Sequence, residues 1–377
     1  MTTNRKYDVT ITGGGLAGIS LSIILARKGW SVCLFEKETY PFHRVCGEYI
    51  SMESWNFLIG LGLPLEEWKL PMINELNITA PNGDQIHATL PLGGFGISRF
   101  KLDSALAGIA RSAGVVLLEN TRVYDIHFEE NKHRLETSAG LFTSRVACGC
   151  FGKKSNLDVK WKRSFLKRGE NRNYVAIKYH VRSNLPDNQI SLHNFPGGYC
   201  GISRIEDDRY CICYLTKSEN LKNSRQSIPV MEENILKKNP SLRNFLEKVV
   251  LLYDEPLTIS KISFAKKTQI ENHVVCIGDA AGMITPLCGN GMSMALHGSK
   301  LAAESINSFL ANKISRREME NGYIKTWKKY FAKRLRTGRI IQRFFGNPFW
   351  SSFLIRMVRP FPFFVSALIR QTHGEKF

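Results

Sequence analysis

The sequence is poor in acidic residues relative to basic ones, and this imbalance is the first constraint on its partners. Its 377 residues contain 33 Asp and Glu against 52 Lys and Arg, so the formal net charge is +19. That charge favours an acidic partner, such as anionic lipid, nucleic acid or a phosphorylated ligand. With 43% hydrophobic residues the chain is not disordered, and its length predicts roughly two domains.

The sequence also lacks Cys-x-x-Cys pairs and the Cys/His quartets of zinc fingers, so no metal site is expected. The nine cysteines are interpreted mostly as reduced, small core residues. The most apolar stretch, residues 353–369, is interrupted by two arginines and two prolines, which excludes a membrane-spanning helix there. The first residues lack the pattern of a secretory signal, which predicts a cytoplasmic protein.

The first 36 residues follow the order strand, glycine turn, helix, strand, acid. Residues 7–12 alternate as a strand, residues 16–28 have the composition of a helix, and a second strand ends at Glu36. The turn between the first strand and the helix carries a G-x-G-x-x-G motif: Gly13, Gly15 and Gly18. This context is typical of a dinucleotide cradle.

Each part of the cradle has a chemical task. The glycines let the backbone approach a pyrophosphate, and the N-terminus of the helix offers N–H groups and a positive dipole. Glu36 can accept hydrogen bonds from both ribose hydroxyls of an adenosine, and its charge disfavours the 2′-phosphate of NADP. The cradle therefore predicts FAD or NAD.

A second segment, about 260 residues downstream, favours FAD over NAD. Residues 274–277 have the pattern of a short buried strand that is closed by Gly278 and Asp279, and a helix is predicted to begin near Gly291. An aspartate after such a strand can accept a hydrogen bond from a ribityl hydroxyl of FAD. The dipole of the following helix would stabilise a reduced, anionic flavin.

Four motifs together resemble one known family. They are GGGLAG with Glu36, RVCGE at 44–48, RFKLD at 99–103 and GDAAGMITPLCGNGM at 278–292. The chain is similar, over most of residues 1–310, to the FAD-dependent oxidoreductases of the aromatic-hydroxylase fold (group A flavoprotein monooxygenases). Within that fold it resembles the branch that contains the geranylgeranyl reductases.

The resemblance implies roles for single residues. Arg44 and Arg99 would contact the flavin nucleotide, Asp279 the ribityl chain, and residues 286–292 would form the loop over the isoalloxazine. Cys46 matches a cysteine that lies close to the flavin in the reductase branch, and it is the candidate catalytic residue. With the glycine turn, the full set predicted to bind non-covalent FAD is Gly13, Gly15, Leu16, Ala17, Gly18, Glu36, Lys37, Arg44, Cys46, Gly47, Arg99, Asp279, Pro286, Gly289, Asn290, Gly291 and Met292.

The chain departs from the family pattern in mid-sequence. The hydroxylases commonly carry an A-D-G motif, but the matching stretch, residues 147–155, reads ACGCFGKKS. The reductases carry G-Y-x-W-x-F-P, whereas residues 198–203 read GYCGIS, with Gly201 in place of the tryptophan. No two of the six tryptophans stand two apart, so the W-x-W-x-I-P signature of tryptophan halogenases is missing and halogenation is disfavoured.

The predicted fold is α/β: an FAD-binding Rossmann-like domain of the GR2 type, an inserted mixed β-sheet substrate domain and a C-terminal helical tail. Residues 75–90 are predicted to form a hairpin about Asn82-Gly83, and further strands are predicted in the second domain, where Tyr199 and Phe195 are candidate substrate contacts. The predicted boundaries are 1–70, 99–155 and 265–312 for the FAD domain, 71–98 and 156–264 for the substrate domain, and 313–377 for the tail.

The tail combines basic and aromatic residues. Residues 325–343 have a basic amphipathic pattern, and the aromatic residues that follow favour peripheral contact of 325–370 with an anionic membrane at the inner face of the cell. The alternative is a terminal helix packed on the FAD domain with a solvated basic face. No nucleic-acid motif accompanies the charge, so no such partner is expected.

The predicted function is an FAD-dependent oxidoreductase that acts on a hydrophobic substrate of isoprenoid, polyketide or phenolic-lipid type. In the first hypothesis, hydride is transferred to a C=C bond, as in geranylgeranyl reductases. The alternatives are an NAD(P)H-dependent monooxygenase of aromatic rings and a non-catalytic flavin redox sensor. No second nucleotide cradle is found, so NADPH or NADH as electron donor would act at a surface site.

Overall fold

The computed structural model describes residues 5–166, 174–360, 369–371 and 373–377. Its strands are β1 (Arg5–Thr12), β2 (Val32–Phe35), β3 (Tyr49–Ser51), β4 (Met72–Thr79), β5 (Gln85–Gly96), β6 (Val116–Leu118), β7 (Val123–Glu129), β8 (Lys132–Thr137), β9 (Gly140–Gly149), β10 (Tyr174–Arg182), β11 (Gln189–Phe195), β12 (Gly198–Arg204), β13 (Tyr210–Lys217), β14 (Val250–Leu251), β15 (Leu257–Ile262), β16 (Ile270–Glu271) and β17 (Val274–Cys276). Its helices are α1 (Leu16–Arg27), α2 (Trp55–Gly60), α3 (Arg99–Ser112), α4 (Asn156–Lys160), α5 (Ser218–Asn223), α6 (Ile228–Asn234), α7 (Pro240–Leu246), α8 (Gly291–Leu310), α9 (Arg316–Phe344) and α10 (Pro348–Val358).

The first sheet has the strand order β16-β17-β9-β1-β2-β6, and the hairpin β7–β8 extends it from β9. The central pairs β17–β9, β9–β1, β1–β2 and β2–β6 are parallel. The chain leaves β1 toward β2 on one side, whereas β9 lies on the other side of β1. The carboxyl ends of β1 and β9 therefore form a topological switch point, where open α/β sheets bind ligands.

Helix α1 crosses behind this sheet and is buried along most of its length, with α3 and α8 packed against it. The glycine turn enters α1 directly, so its position depends on the buried core and not on a surface loop. The predicted FAD-type fold is confirmed in this half of the molecule.

The second sheet has the order β14-β10-β13-β12-β11-β4-β5-β3, with β15 paired to β10. The predicted hairpin is confirmed, since β4 and β5 pair antiparallel across the Asn82-Gly83 turn and Gly83 has φ +91°. The second sheet was also predicted to be mixed, and it is, because β11 and β4 are parallel whereas the other pairs among its described strands are antiparallel.

The predicted domain ranges map onto these sheets as follows. Residues 1–70 contribute β1 and β2 to the first sheet but β3 to the second, and residues 99–155 contribute α3 and β6–β9. Residues 71–98 and 156–264 hold the remaining strands of the second sheet. The boundaries themselves stay a prediction. Among the described helices, none combines the length and apolarity that crossing a bilayer requires.

A buried histidine in the second sheet makes stability depend on pH. His193 on β11 is 5% exposed, its Nδ1 lies 2.8 Å from Thr79 Oγ1 on β4, and burial lowers its pKa to about 4. The unfolded chain binds a proton near pH 6.5, so this histidine contributes stability that is present above pH 6.5 and is lost as the pH falls toward 4. By pH 5 the loss is about 2 kcal/mol for this residue.

We therefore expect the free energy of unfolding, measured by urea denaturation between pH 7 and 5, to fall with pH. His193→Gln keeps a polar group beside Thr79 but cannot titrate, so its pH slope should be shallower than that of the unchanged protein. Equal slopes in the two proteins would contradict this assignment. Buried His133 and His297 have pKa values lowered by burial to about 3 and about 4, and they add to the pH slope of both proteins.

Candidate functional site

The glycines of the turn after β1 have two different roles: two allow close packing of the backbone, and one leaves space for a ligand. Gly13 has φ +104°, and a Cβ atom there would lie 2.5 Å from the carbonyl oxygen of Cys150. A Cβ at Gly18 would lie 2.0 Å from the carbonyl oxygen of Gly13. At Gly15, by contrast, the nearest atom to a Cβ is Nη2 of Arg99, 3.9 Å away. Gly13 and Gly18 thus close the turn, and Gly15 leaves its outer side open.

Helix α1 begins at this open side. Gly15 is its N-cap residue, has φ −78° and makes no side-chain cap, so the N–H groups of the first turn point toward the space beside Arg99. Leu16 and Ala17 are buried and contribute through their backbone. A helix N-terminus next to a guanidinium is suited to an anionic group such as a pyrophosphate.

Glu36, at the end of β2, is almost fully buried and holds the turn. Its carboxylate accepts the backbone N–H of Gly14 at 2.9 Å and that of Lys37 at 2.8 Å, and it pairs with Arg44 Nη2 at 2.9 Å. The Tyr40 hydroxyl donates to the Gly14 carbonyl from the other side. The structure therefore places Glu36 at the cradle, and its contact with a ribose stays a prediction. The side chain of Lys37 is exposed and pairs with Glu38.

Asp103 brings the two predicted arginines together. Arg99 donates to both oxygens of Asp103, through Nε and Nη2 at 2.7 Å each, and Arg44 Nε lies 3.0 Å from Oδ2. Asp103 is 1% exposed and holds both guanidinium groups, and that of Arg99 lies beside Gly15. Asp103 was not among the predicted site residues, although its spacing of four from Arg99 on a helix was a usable signal.

The second predicted segment forms a tight turn after β17. The Asp279 backbone oxygen accepts from Lys267 Nζ at 2.8 Å, and the Ala280 oxygen accepts from Arg163 Nη1 at 3.0 Å. Both cations are buried, and burial lowers the pKa of Lys267. The Asp279 side chain is half-buried, and among the described residues its carboxylate makes no hydrogen bond or ion pair, so it can accept from a bound hydroxyl.

The predicted flavin loop lies between this turn and α8. Pro286 starts a 3-10 turn that ends in Gly289, which has φ +65° and would bring a Cβ to 3.0 Å from the ring of Tyr49. Asn290 is buried as the N-cap residue, and α8 starts at Gly291 as the sequence predicted. A Cβ atom at Gly278 would lie 3.2 Å from Ala17 of α1 and 3.5 Å from Ala295 of α8, so the turn after β17 lies between the N-terminal parts of these two helices.

Cys46 is brought against the start of this helix. Its Sγ lies 3.6 Å from Sδ of Met292, and the neighbouring Gly47 accepts a hydrogen bond from Ser203 at 3.2 Å. The segment 44–48 thus bridges α8 and the second sheet. Cys46 is half-buried, and its catalytic role stays a prediction.

A buried charged network, absent from the sequence predictions, lies behind Cys46. Glu48 is fully buried with φ 56°, and its carboxylate contacts Lys178 Nζ at 2.5 Å, His180 Nε2 at 2.6 Å and the backbone N–H of Arg99 at 2.8 Å. Burial alone would raise the pKa of Glu48, but Lys178 and His180 outweigh it and lower that pKa to about 2. The network ties β10 of the second sheet to the cradle.

The same network bears on the prediction that there is no metal. Ligand atoms of Glu48, His180 and Cys211 lie within 4.8 Å of one another. The Lys178 ammonium contacts the same carboxylate, however, and a cation there would meet a like charge. The geometry therefore gives no ground for assigning a metal to these three residues.

The two predicted substrate residues are not brought together. Phe195 is fully buried in an apolar cluster beneath α6 and α7, with Tyr214 and Met231. Tyr199 is buried in a different cluster, on the other face of the sheet, with Leu287 from the flavin loop and Met283 just before it. Tyr199 therefore remains beside the cofactor segment, whereas Phe195 lies in the core beneath the opposite face.

Comparisons with known proteins agree with this geometry. Residues 6–91 match the family model described as an FAD binding domain. The chain is 25% identical to "Conditioned medium factor receptor 1" of Dictyostelium discoideum, over 79% of this chain and 62% of that protein. It is 23% identical to "Digeranylgeranylglycerophospholipid reductase" of Methanospirillum hungatei JF-1, over 90% of this chain and 86% of that protein. The chain thus spans less than two thirds of the first of these relatives.

Two solved structures share the fold. The flavin-dependent brominase Bmp2 matches with a TM-score of 0.79 at 19% identity, covering 97% of this chain and 93% of its own. A geranylgeranyl bacteriochlorophyll reductase-like protein of Thermoplasma acidophilum matches with a TM-score of 0.79 at 17% identity, covering 99% and 97%. The match over residues 6–91 shows an FAD-binding domain, and the chain shares its fold with these flavin-dependent proteins. Geranylgeranyl reductase-like proteins and flavin halogenases both stand among its relatives.

The residues present fit FAD. Gly15 leaves open the approach that any side chain would fill, Arg99 and the N-terminus of α1 border it, and the Asp279 carboxylate is available to a hydroxyl. Glu36 and Arg44 lie at the end of the cradle next to β2, where the adenosine is predicted, and Asn290 and Met292 lie at the end formed by α8.

Proposed function

We propose that this flavoprotein transfers hydride to a C=C bond of a hydrophobic, isoprenoid-like substrate. The observation that carries the proposal is the apolar cluster between the flavin loop and the second sheet. Its buried members include Tyr49, Leu90, Tyr199, Met283 and Leu287. Because Leu287 belongs to the loop and Met283 lies just before it, a substrate that reaches the cofactor from this side would contact hydrocarbon and aromatic surface.

The relatives support the same substrate class. The Methanospirillum protein is named as a reductase of a digeranylgeranylglycerophospholipid, and it matches 90% of this chain. The departure at Gly201 does not remove the apolar surface. A Cβ at Gly201 would lie 3.6 Å from a methyl group of Leu192 and 3.6 Å from the backbone oxygen of Cys213, so this position still has an apolar neighbour.

The bound FAD would supply the hydride. The chain's own residues would bind the cofactor and exclude water from the substrate. Arg99, Arg44 and the N-terminus of α1 would bind the anionic pyrophosphate of FAD at one end of the cradle. The N-terminus of α8 places its positive dipole at the other end. The apolar cluster excludes water from the side on which Tyr199 lies, which favours transfer to carbon over loss to solvent.

The electron donor forms part of the proposal. We infer that NADPH or NADH reduces the protein from a surface site, because the G-x-G-x-x-G cradle is the one nucleotide motif that the sequence supplies and FAD takes it. The acid at Glu36 bears on the adenosine of FAD and does not select between the two nicotinamide nucleotides.

The test is an anaerobic single-turnover experiment with the FAD-loaded protein. The flavin is reduced with NADPH, NADH or dithionite, and a phospholipid with geranylgeranyl chains is added in detergent. We expect the yellow absorbance to return as the substrate gains two hydrogens per double bond in the mass spectrum. The Gly15→Val variant, which should lack FAD, serves as the inactive control.

Other outcomes separate the alternatives. Reoxidation only in air, with gain of one oxygen by a phenolic substrate, would replace the proposal with a monooxygenase. Gain of bromine in the presence of bromide and air would replace it with a halogenase. A flavin that cycles with donor and air but modifies no substrate, with loss of cycling in Cys46→Ser, would favour the redox sensor.

A further inference from the structure

The outer face of α10 exposes large apolar side chains. The side toward the second sheet is formed by Ser351 and Ile355, which are buried against β5 and β11. The opposite side carries side chains that are 45% to 69% exposed, namely Phe349, Trp350, Phe353 and Met357. Their spacing of one, three and four residues keeps them on one face of the helix.

These side chains form one contiguous patch. The rings of Phe349 and Phe353 stack with centroids 6.3 Å apart, and Trp350 meets the edge of Phe353 at 6.1 Å. A contiguous solvent-exposed patch of aromatic side chains marks a site of contact with a protein or a membrane. Amphipathic helices that lie at a membrane surface typically carry Trp and Phe on the face that is buried at the boundary between headgroups and acyl chains.

A row of cations leads to this patch along α9. Its exposed face carries basic side chains at helical spacing, namely Lys325, Lys329, Lys333, Arg336 and Arg343. From residue 321 to 377 the sequence contains one acidic residue, Glu375. Phe344 at the end of α9 contacts Trp350 at 6.2 Å, so the cation row and the apolar patch adjoin.

We propose that the exposed faces of α9 and α10 form a surface that docks on a bilayer containing anionic lipids. We call it the docking surface: Lys325, Lys329, Lys333, Arg336, Arg343, Phe349, Trp350, Phe353 and Met357. The aromatic side chains enter the acyl boundary, and the cations contact lipid phosphates. Part of the predicted membrane segment, residues 361–368, lies outside the described residues.

The charge argues against two other occupants. A second copy that paired through the same surface would bring two rows of cations together with few carboxylates between them. Nucleic acid would neutralise the cations but would leave the patch of α10 in water. An anionic bilayer is the partner that satisfies both halves of the surface.

The docking surface is also close to the apolar cluster of the proposed function. Phe345 lies between α9 and α10 and contacts the ring of Tyr199 at 6.3 Å, and the Gly346 oxygen accepts a hydrogen bond from Gly197 at 2.7 Å. Docking would therefore place the Tyr199 side of the second sheet near the lipid. The docking proposal does not depend on the reaction, because it is tested by binding alone.

The experiment is co-sedimentation of the FAD-loaded full chain with two kinds of vesicle. One is pure phosphatidylcholine, and the other also contains about 30 mole per cent of the anionic lipid phosphatidylglycerol. We expect binding to the anionic vesicles that weakens in high salt. Two paired variants, Phe349→Ser with Phe353→Ser and Lys333→Glu with Arg336→Glu, should each lower the partition coefficient by about tenfold or more. Retained FAD absorbance in each variant shows that the fold is intact.

The matched control replaces exposed apolar residues elsewhere. Val250 and Leu251 are 63% and 49% exposed on β14, at the other edge of the second sheet, and Val250→Ser with Leu251→Ser should leave vesicle binding unchanged. Loss of binding in the control as well would show non-specific adhesion and overturn the proposal. Absence of vesicle binding would also overturn the proposal. A dimer that sedimentation velocity detects and the α10 variant abolishes would then show that the surface pairs two copies of the chain. Binding to duplex DNA that the cation variant abolishes would show that the surface binds nucleic acid.

Discussion

Gly15→Val is expected to empty the FAD site while leaving the protein folded. The position has φ −78°, which valine accepts, and a Cβ there projects into open space beside Arg99. The added methyl groups would occupy the approach of the pyrophosphate, so FAD affinity should fall on the order of 100-fold or more. Valine is a poorer N-cap than glycine, and the apo protein should lose only about 1 kcal/mol of stability.

The measurement is FAD stoichiometry from absorbance after gel filtration, with thermal unfolding of the apo forms alongside. Gly108→Val is the matched control, because Gly108 is an exposed residue of α3 whose Cβ would meet nothing within 4 Å. That variant should retain FAD. Stoichiometric FAD in Gly15→Val would show that the cradle has been misassigned.

Gly13 provides the contrasting result in the same turn. Its φ of +104° and the 2.5 Å approach of the Cys150 oxygen mean that Gly13→Ala strains the backbone and displaces β9. We expect it to destabilise the apo protein by about 2 to 4 kcal/mol. Substitutions at two glycines two residues apart therefore have different effects: Gly15→Val lowers FAD affinity, and Gly13→Ala lowers stability.

The strand, turn and helix of the cradle were predictable because their signals are local. The alternation of residues 7–12, the glycines and the helix from residue 16 reproduce β1 and α1 to within two residues at each end. The start of α8 at Gly291 was predictable for the same reason. Each of these elements is specified by residues that are neighbours in sequence.

The hairpin β7–β8 and the bounds of β11, which the sequence did not indicate, show where local signals fail. The turn between β7 and β8 has Glu130 and Asn131 at positive φ, which is the geometry that favours Asn-Gly, so its sequence did not indicate a hairpin. β11 contains Ser191, His193 and Asn194, polar residues that an apolar pattern would place in water. They are buried because partners from distant segments satisfy them.

The site predictions divide along the same line. The cradle residues follow from motif spacing, whereas Glu48 and Lys178 are 130 residues apart and become partners only when the two sheets pack. That Phe195 and Tyr199 lie on opposite faces of the sheet was unpredictable for another reason. Which face of a sheet a side chain takes depends on strand register, and a shift of one residue reverses it.

The second large effect is expected at that buried pair. Lys178→Met removes the ammonium that lies 2.5 Å from Glu48 and leaves the carboxylate buried, so the protein should lose about 3 to 5 kcal/mol. Lys178 also donates to the Arg44 backbone oxygen at 3.1 Å, and Glu48 holds the N–H of Arg99. FAD affinity should therefore fall together with stability, although neither residue is placed at the cofactor.

A double-mutant cycle distinguishes a charge pair from a packing defect. Glu48→Gln alone leaves the Lys178 ammonium buried without its carboxylate, and it should also be strongly destabilising. The double variant, Glu48→Gln with Lys178→Met, buries no unpaired charge, so its loss of stability should be well below the sum of the two single losses. Additive losses would instead mean that the two side chains act through their volume. Lys237→Met, which breaks a surface pair with Glu233, is the control and should leave unfolding unchanged.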